Sequence, residues 1–380
     1  MSIAPVIAFV RAHVFRCPID VPVRSAIGIM TNRPMLLVQI EDSEGAQGWG
    51  EIWCNFPTVG AEHRARLVES IFHPLLAGKP LATPAAHFER LTESTRQIVI
   101  QTGEAGPFAQ CIAGIDQALT DLAARRAGQP LWRFLGGSHP TVDTYASALG
   151  PAGAGLAAQG GWQQGYRGFK LKLGFGKQAD IRNLAELRDA VPAQASVMVD
   201  ANQAWSLAEA LDMIDGLAQF DLTWIEEPIS AEAPLSDWRR LAGHSPVPLA
   251  AGENLRGMAS FNEVLEAGVI RFVQPDIGKW GGFTRIVDLG RRAVASGLAY
   301  CPHWLGGGIG LLASLHLLVA VGGQGRAEID ANPNPLRESV PLPPLVEGRI
   351  TLPEAPGLGV DPDKTALPLL SEFRVRSPFS

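Results

Sequence analysis

Apolar and polar positions follow two different rhythms along this chain. In the first third, MLLVQIEDSEGAQGWGEIW alternates on either side of an Asp-Ser-Glu-Gly turn and predicts the two strands of a hairpin. From about Glu62 to Gly128 the apolar period becomes helical. It ends in CIAGIDQALTDLAARRAG, where small apolar positions at helical spacing run into a glycine stop. The segment FLGGSHP, Phe134 to Pro140, has the turn residues of a domain boundary. Beyond it short β-rich runs recur, each followed by a helical stretch: TVDTYASAL, GFKLKL, SVMVDAN, LTWIEEP, VPLAAGE, IRFVQPD, LAYCPHW and RAEIDA. Eight strands alternating with helices predict an α/β fold with a parallel sheet. That number within roughly 210 residues fits a closed, TIM-type (β/α)8 barrel, with an open doubly wound sheet as the structural alternative.

One of these runs is unusual. Lys170 and Lys172 stand two residues apart and so share one face of their strand, while Phe169, Leu171 and Leu173 face the other way. Two like charges on one partly buried face are costly unless neighbours use them; a half-exposed edge strand with two solvated lysines is the simpler alternative. The other strands weigh against it. Lys172, Asp200, Glu226, Glu253, Asp276, His303 and Glu328 each fall near the C-terminal end of a predicted strand. Their successive spacings are 28, 26, 27, 23, 27 and 25 residues, about one β/α unit per step. The strand ends of a barrel converge on one mouth, where such enzymes place their chemistry. A single acidic residue at a strand end is ordinarily a turn former or a helix N-cap. Seven ionisable groups in register are hard to explain that way.

Composition narrows the classes. With 380 residues, 46% hydrophobic and 18% charged, the chain is a globular protein of about two domains rather than a disordered one. A net charge of −6 gives no basic footprint for nucleic acid. Cys17, Cys54, Cys111 and Cys301 are far apart with no C-x-x-C pair, which suits reduced thiols better than a disulfide framework. The start, MSIAPVIAFVRAHVF, lacks a basic segment followed by a sustained apolar one. The longest apolar tract, LGGGIGLLASLHLLVAVGG, is rich in glycine and reads as a loop feeding a buried helix rather than a membrane span. The expectation is a soluble cytoplasmic protein with no membrane or nucleic-acid partner.

Asp200, Glu226 and Glu253 come from three consecutive strands. Three hard anionic oxygens without cysteine suit Mg²⁺, with Mn²⁺ possible, whereas zinc would want histidine or cysteine. Carboxylates packed together also repel, and a cation is the simplest remedy. Near that cation and beside Lys170, the ammonium form of Lys172 is disfavoured, so its pKa is expected to fall towards working pH and make it a general base. His303, five strands further on, can act as a second acid or base, and Asp276, one strand earlier, can hold its tautomer. Two other functions compete with catalysis. GIGLLA, Gly308 to Ala313, with Asp330 downstream, matches a dinucleotide-binding pattern weakly, because no second βαβ half follows. A noncatalytic ligand-binding barrel is the other.

The motifs FKLKLG, VMVDANQAW, WIEEP, AGEN, QPDIGKWGG and CPHWLGGGIG resemble the enolase superfamily, specifically its mandelate racemase subgroup, over nearly the whole chain. The resemblance implies a modified (β/α)7β barrel over residues 136–350, an N-terminal α+β capping domain over 1–135, and a C-terminal segment, 351–380, that returns to the cap through GLGVDPD. It implies Mg²⁺ on Asp200, Glu226 and Glu253, a base at Lys172, and a second base or acid at His303 supported by Asp276. Glu328 would hydrogen-bond the substrate carboxylate, Lys170 would help neutralise it, and Asn202 would contact a substrate hydroxyl. Asp276 in place of a strand-six lysine departs from the muconate cycloisomerase and dipeptide epimerase pattern. The implied reaction is abstraction of the proton α to a carboxylate of a small-molecule substrate through a metal-stabilised enediolate, as known for this superfamily. Dehydration of an acid sugar to a 2-keto-3-deoxy acid is the first expectation, racemisation of a 2-hydroxy acid the alternative, in a homo-oligomer. The capping loops RSAIGIMTNRP and EIWCNFP would close the mouth, with Arg24 or Arg33 either meeting a distal carboxylate or lying on the surface.

Overall fold

The computed structural model of the protein describes residues 5–25, 28–365 and 372–373. The N-terminal region is α+β. Strands β1 (Ile7–Ser25), β2 (Gly28–Asp42) and β3 (Gln47–Ile52) form an antiparallel sheet, followed by helices α1 (Gly60–Leu67), α2 (His73–Leu76), α3 (Pro84–Thr102), α4 (Ala105–Arg126) and α5 (Leu131–Phe134). The predicted hairpin is β2–β3. The strand β3 lies hard against α4 because Gly48 and Gly50 carry no side chain: a Cβ at either would lie 2.1 Å from a carbonyl oxygen of the helix.

Eight parallel strands follow: β4 (Thr141–Leu149), β5 (Gly168–Lys172), β6 (Ser196–Asp200), β7 (Ile225–Glu226), β8 (Leu249–Ala251), β9 (Phe272–Val273), β10 (Ala299–Tyr300) and β11 (Arg326–Asp330). Helices α6 (Ala154–Gln163), α7 (Lys177–Ala190), α8 (Leu207–Leu217), α9 (Leu235–His244), α10 (Gly257–Ala267), α11 (Gly282–Ala295) and α12 (Gly308–Val321) separate them. The strand order is β10-β9-β8-β7-β6-β5-β4, with β11 also paired to β4. This is an α/β fold with a mostly parallel sheet and an N-terminal cap. After β11, the described residues form the short α13 (Pro335–Glu338), β12 (Leu345–Val346), β13 (Arg349–Thr351), a 3-10 turn (Pro362–Lys364) and β14 (Glu372–Phe373). The last of these pairs with β1, and Leu358 N–H donates to the buried Asp121 of α4, so the C-terminal segment touches the cap.

Local chemistry sets these elements. Ser206 caps α8 by accepting from Glu209 N–H while the Glu209 carboxylate accepts from Ser206. All the residues of α12 are buried, as its unbroken apolar run requires. Phe169, Leu171 and Leu173 pack outward against the helices, whereas Tyr145, Met198, Trp224, Ala250 and Cys301 form a separate cluster. No helix among the described residues is long and apolar enough to cross a membrane.

Just before β11, Gly325 presses on the end of β10: a Cβ there would lie 1.7 Å from the carbonyl oxygen of Tyr300. Backbone cannot yield as a side chain can, so Gly325→Ala is expected to cost about 1–3 kcal/mol or more as overpacking does. A thermal-unfolding midpoint equal to that of the parent protein would contradict this contact.

Candidate active site

The strand register assembles the site. Lys172 pairs across to Asp200, and Asp200 to Glu226, so the last residues of β5, β6 and β7 stand level. Glu253 lies just past β8, and the loops after β9 and β10 meet at a bridge between Asp276 and His303. Ligand oxygens of Asp200, Glu226 and Glu253 all lie within 4.8 Å of one another, and all three residues are buried.

The two lysines of β5 are not solvated. The strand lies between β4 and β6, and Lys170 and Lys172 are 0% and 6% exposed. Lys170 Nζ donates to both Glu226 oxygens at 2.8 Å and lies 2.8 Å from Glu328. It is thus engaged by the protein's own carboxylates. Burial pushes the Lys170 ammonium down, but Glu226 and Glu328 outweigh it and hold its pKa well above the ordinary lysine value. Lys172 Nζ lies 2.5 Å from Asp200. The expected fall in its pKa is not what the protein's own charges produce. Burial lowers it, but Asp200, with Glu253 and Glu226 behind, pulls harder and raises it above the ordinary value. Neutralising those carboxylates with a cation removes the pull and leaves the burial.

On the other side, His303 Nδ1 lies 2.6 Å from Asp276, while Nε2 lies 3.1 Å from Glu253 and 3.7 Å from Glu328. Burial opposes protonation of the imidazole, yet Glu253, Glu328 and Asp276 prevail and raise it to about 9. Asp276 also accepts from the backbone N–H groups of Gly278 and Lys279. Glu328 accepts from Ser147 and from Trp304 N–H. Asn202, at a positive φ of 46°, directs both its backbone N–H and its side-chain amide at Asp200, at 2.8 and 3.2 Å. In this geometry it orients Asp200.

Several groups escaped the sequence reading. Lys279 Nζ bonds Glu253 at 2.7 Å and lies 4.9 Å above the Trp53 ring of the cap. The second glutamate of WIEEP, Glu227, is buried and accepts from Asn254. Gln274 donates to Glu226 at 2.6 Å. All three sit inside quoted motifs, one to three residues away from the strand-end positions. Arg33 is neither a surface residue nor free at the mouth: it is 2% exposed and paired with Asp330 at 2.8 Å. The side chain of Arg24 lies outside the described ones. GIGLLA forms the first turns of α12, and the N–H groups of Gly307 and Gly310 are taken by Glu51 of the cap, so this helix start offers no cradle for a dinucleotide phosphate.

The charges have a consequence. Asp200, Glu226, Glu227, Glu253, Asp276 and Glu328 face Lys170, Lys172, Lys279 and His303. With the imidazole protonated, six negative charges meet four positive ones, and the two left over equal one divalent cation. Protons otherwise relieve the excess: burial and the neighbouring carboxylates push Glu226 up to about 7 and Glu227 up to about 8. The all-oxygen donor set fits Mg²⁺.

Two family descriptions match this chain: "Mandelate racemase / muconate lactonizing enzyme, N-terminal domain" over residues 9–136 and "Enolase C-terminal domain-like" over 155–366. The chain belongs to the enolase superfamily, in its mandelate racemase-like group. It is 30% identical to D-galactarolactone cycloisomerase of Agrobacterium fabrum, an alignment covering 98% of this chain and 100% of that one. A mandelate racemase/muconate lactonizing enzyme from Bordetella bronchiseptica RB50 shares 49% identity and superposes with a TM-score of 0.89 over 95% of this chain and 98% of that one. An enolase from Bradyrhizobium complexed with magnesium and mandelic acid shares 28% identity, with a TM-score of 0.83 over 95% and 97%. Superfamily relatives of this chain are named as acid-sugar dehydratases, cycloisomerases and racemases.

Proposed function

We propose that this protein removes the proton α to the carboxylate of an acid sugar and expels the β-hydroxyl, giving a 2-keto-3-deoxy acid. One observation carries the reading: Lys172 Nζ and His303 Nε2 touch the two outer members of the carboxylate triad, Asp200 at 2.5 Å and Glu253 at 3.1 Å. A carboxylate substrate bound at the triad would therefore have an acid–base group on either side. Asp200, Glu226 and Glu253 would hold Mg²⁺, which when bound offsets the charge that grows on the substrate carboxylate as its α-proton leaves. Lys172 Nζ takes that proton. His303 Nε2, kept protonated by Asp276 at Nδ1, hands its proton to the departing β-oxygen, so that water leaves and the enol rearranges to the ketone. Glu328 would hydrogen-bond the substrate carboxylate, taking up a proton to do so because two ionised carboxylates can only accept. Lys170, which donates to both Glu226 oxygens and lies 2.8 Å from Glu328, would help neutralise the substrate carboxylate.

The same two groups support racemisation, in which His303 returns a proton to the opposite face of the α-carbon. The cycloisomerase relative favours a further variant, with a ring oxygen in place of the hydroxyl as leaving group. The reading takes residues 1–135 as the cap, 136–350 as a closed (β/α)7β barrel, and 351–380 as the returning segment. The contact of Gly325 with Tyr300 across β10 and β11 supports closure.

Incubation with Mg²⁺ and a panel of sugar acids, their lactones and 2-hydroxy acids in deuterated water tests this. A 2-keto-3-deoxy product is expected. Deuterium at the α-carbon with inverted configuration would assign racemisation instead, and ring opening of a lactone the cycloisomerase variant. Absence of α-hydrogen exchange across the panel would end the catalytic reading.

A further inference from the structure

The cap holds the two loops that carry Asp276 and His303. From the end of β3, Glu51 crosses to the glycine-rich loop that follows His303, where its two oxygens accept from Gly307 N–H at 2.6 Å and Gly310 N–H at 2.8 Å. Asn55, four residues on, donates to the carbonyl of Leu305 at 2.5 Å in the same loop. Trp53, between them, donates its backbone N–H to the carbonyl of Gly278, two residues past Asp276. Gln117 of α4 joins both ends, donating to the carbonyls of Glu51 and Ile277 at 3.0 and 3.1 Å.

The glycines are what allow this. A Cβ at Gly307 would lie 2.8 Å from a Glu51 oxygen, and one at Gly310 would lie 1.9 Å from the Trp304 ring. Trp304 directly follows His303 and donates its ring N–H to the carbonyl of Gly307 at 2.9 Å. Any shift of Gly307 is therefore passed to the residue adjoining His303. Glu51 is 2% exposed; burial pushes its carboxyl up to about 7 against the N–H groups of Gly310 and Gly307, and its ionised form also meets the positive end of the fourteen-residue α12. Lys172 is held differently. It ends β5, between β4 and β6, and its Nζ is fixed by Asp200 of β6, all of them barrel elements.

We propose that Glu51 is a positioning residue that fixes the Asp276–His303 pair from the cap, so that the histidine side of the site depends on cap docking while the lysine side does not. The kinetic part of this inference rests on the roles given above to Lys172 and His303; the spectroscopic part does not.

The test compares the parent protein with Glu51→Ala and Glu51→Gln. First, the Nδ1–H resonance of His303, shifted downfield by its 2.6 Å contact with Asp276, is followed by ¹H–¹⁵N NMR. Glu51→Ala is expected to move it upfield and speed its exchange with water, while Mg²⁺ affinity measured by calorimetry stays unchanged. Glu51→Gln, with one acceptor left for two N–H groups, should fall between. Second, α-deuterium exchange is measured on the two antipodes of whichever 2-hydroxy acid the parent protein accepts. Exchange on the His303 face should slow by about 10- to 100-fold, the range seen when a histidine loses its orienting partner, and exchange on the Lys172 face should persist. An unmoved imidazole resonance, or equal slowing on both faces, overturns the proposal. If Glu51→Ala fails to fold, Glu51→Gln carries the same comparison. If the parent protein exchanges nothing, the roles of Lys172 and His303 fall, and the NMR comparison still decides whether Glu51 orients the pair.

Discussion

Replacing Lys172 with arginine is expected to cut α-proton exchange sharply on the Lys172 face of the substrate while leaving the protein folded and able to bind Mg²⁺. Arginine keeps a positive charge beside Asp200 but cannot give up its proton in the working range, so it can stand in for an ion-pair partner and not for a base. The loss should be about 10²- to 10⁴-fold, the range for removal of a general base. Lys172→Ala separates the two roles further. It removes the ammonium that lies 2.5 Å from Asp200, leaving more uncompensated negative charge at the triad. The protein freed of divalent ions should then be destabilised, and Mg²⁺ should bind more tightly because its competitor for Asp200 has gone. Thermal unfolding with and without Mg²⁺, read beside the exchange rate, checks both variants. Exchange at the parent rate in Lys172→Arg would reduce Lys172 to a structural counter-ion.

Much of this site is legible in the sequence because it depends on periodicity. A spacing near one β/α unit brings Lys172, Asp200 and Glu226 level at the strand ends, and the register shows them paired in that order. The two-residue offset of Lys170 and Lys172 likewise fixes their common face. What escapes depends on distances between remote segments. Lys279 and Glu227 fall outside the strand-end series, so nothing in the spacing marks them, although Lys279 reaches Glu253 at 2.7 Å. Arg33 meets Asp330 nearly three hundred positions away, and no local pattern foretells that pairing. Without a cation, the direction of the Lys172 shift turns on how close Asp200 comes, which spacing alone does not give. The first strand, β1, also went unpredicted: Pro18 and Pro22 interrupt it, and proline is ordinarily confined to sheet edges or bulges. The register between β1 and β2 does slip between Pro18 and Val23.

Mg²⁺ binding is expected to release protons and to stabilise the protein more as pH rises from about 5 to 8. Glu226, raised from 4.5 to about 7, and Glu227, raised to about 8, are partly protonated at neutral pH. A folded-state pKa above the unfolded one contributes stability that is full below the unfolded pKa and lost as pH rises through the folded one. The protein without divalent ions should therefore lose this contribution between pH 4.5 and 8, and His303, raised from 6.5 to about 9, adds a loss of the same sign above pH 6.5. Glu253 and Glu328, held below the ordinary carboxylate range by cationic neighbours that outweigh their burial, act the other way and weaken the fold only in acid. A divalent cation needs its carboxylate ligands ionised, so it competes with protons for the triad and offsets the alkaline loss. Calorimetric titrations in buffers of different ionisation enthalpy would count the protons released, and unfolding midpoints across the pH range would give the growing Mg²⁺ effect. Asp200→Asn, Glu226→Gln and Glu253→Gln should each weaken Mg²⁺ by more than the roughly 10- to 100-fold typical of residues that only orient a ligand. Equal Mg²⁺ affinity in all three variants, or a stabilisation independent of pH, would move the cation site away from these carboxylates and leave Lys172 and His303 without the charge that gives them work.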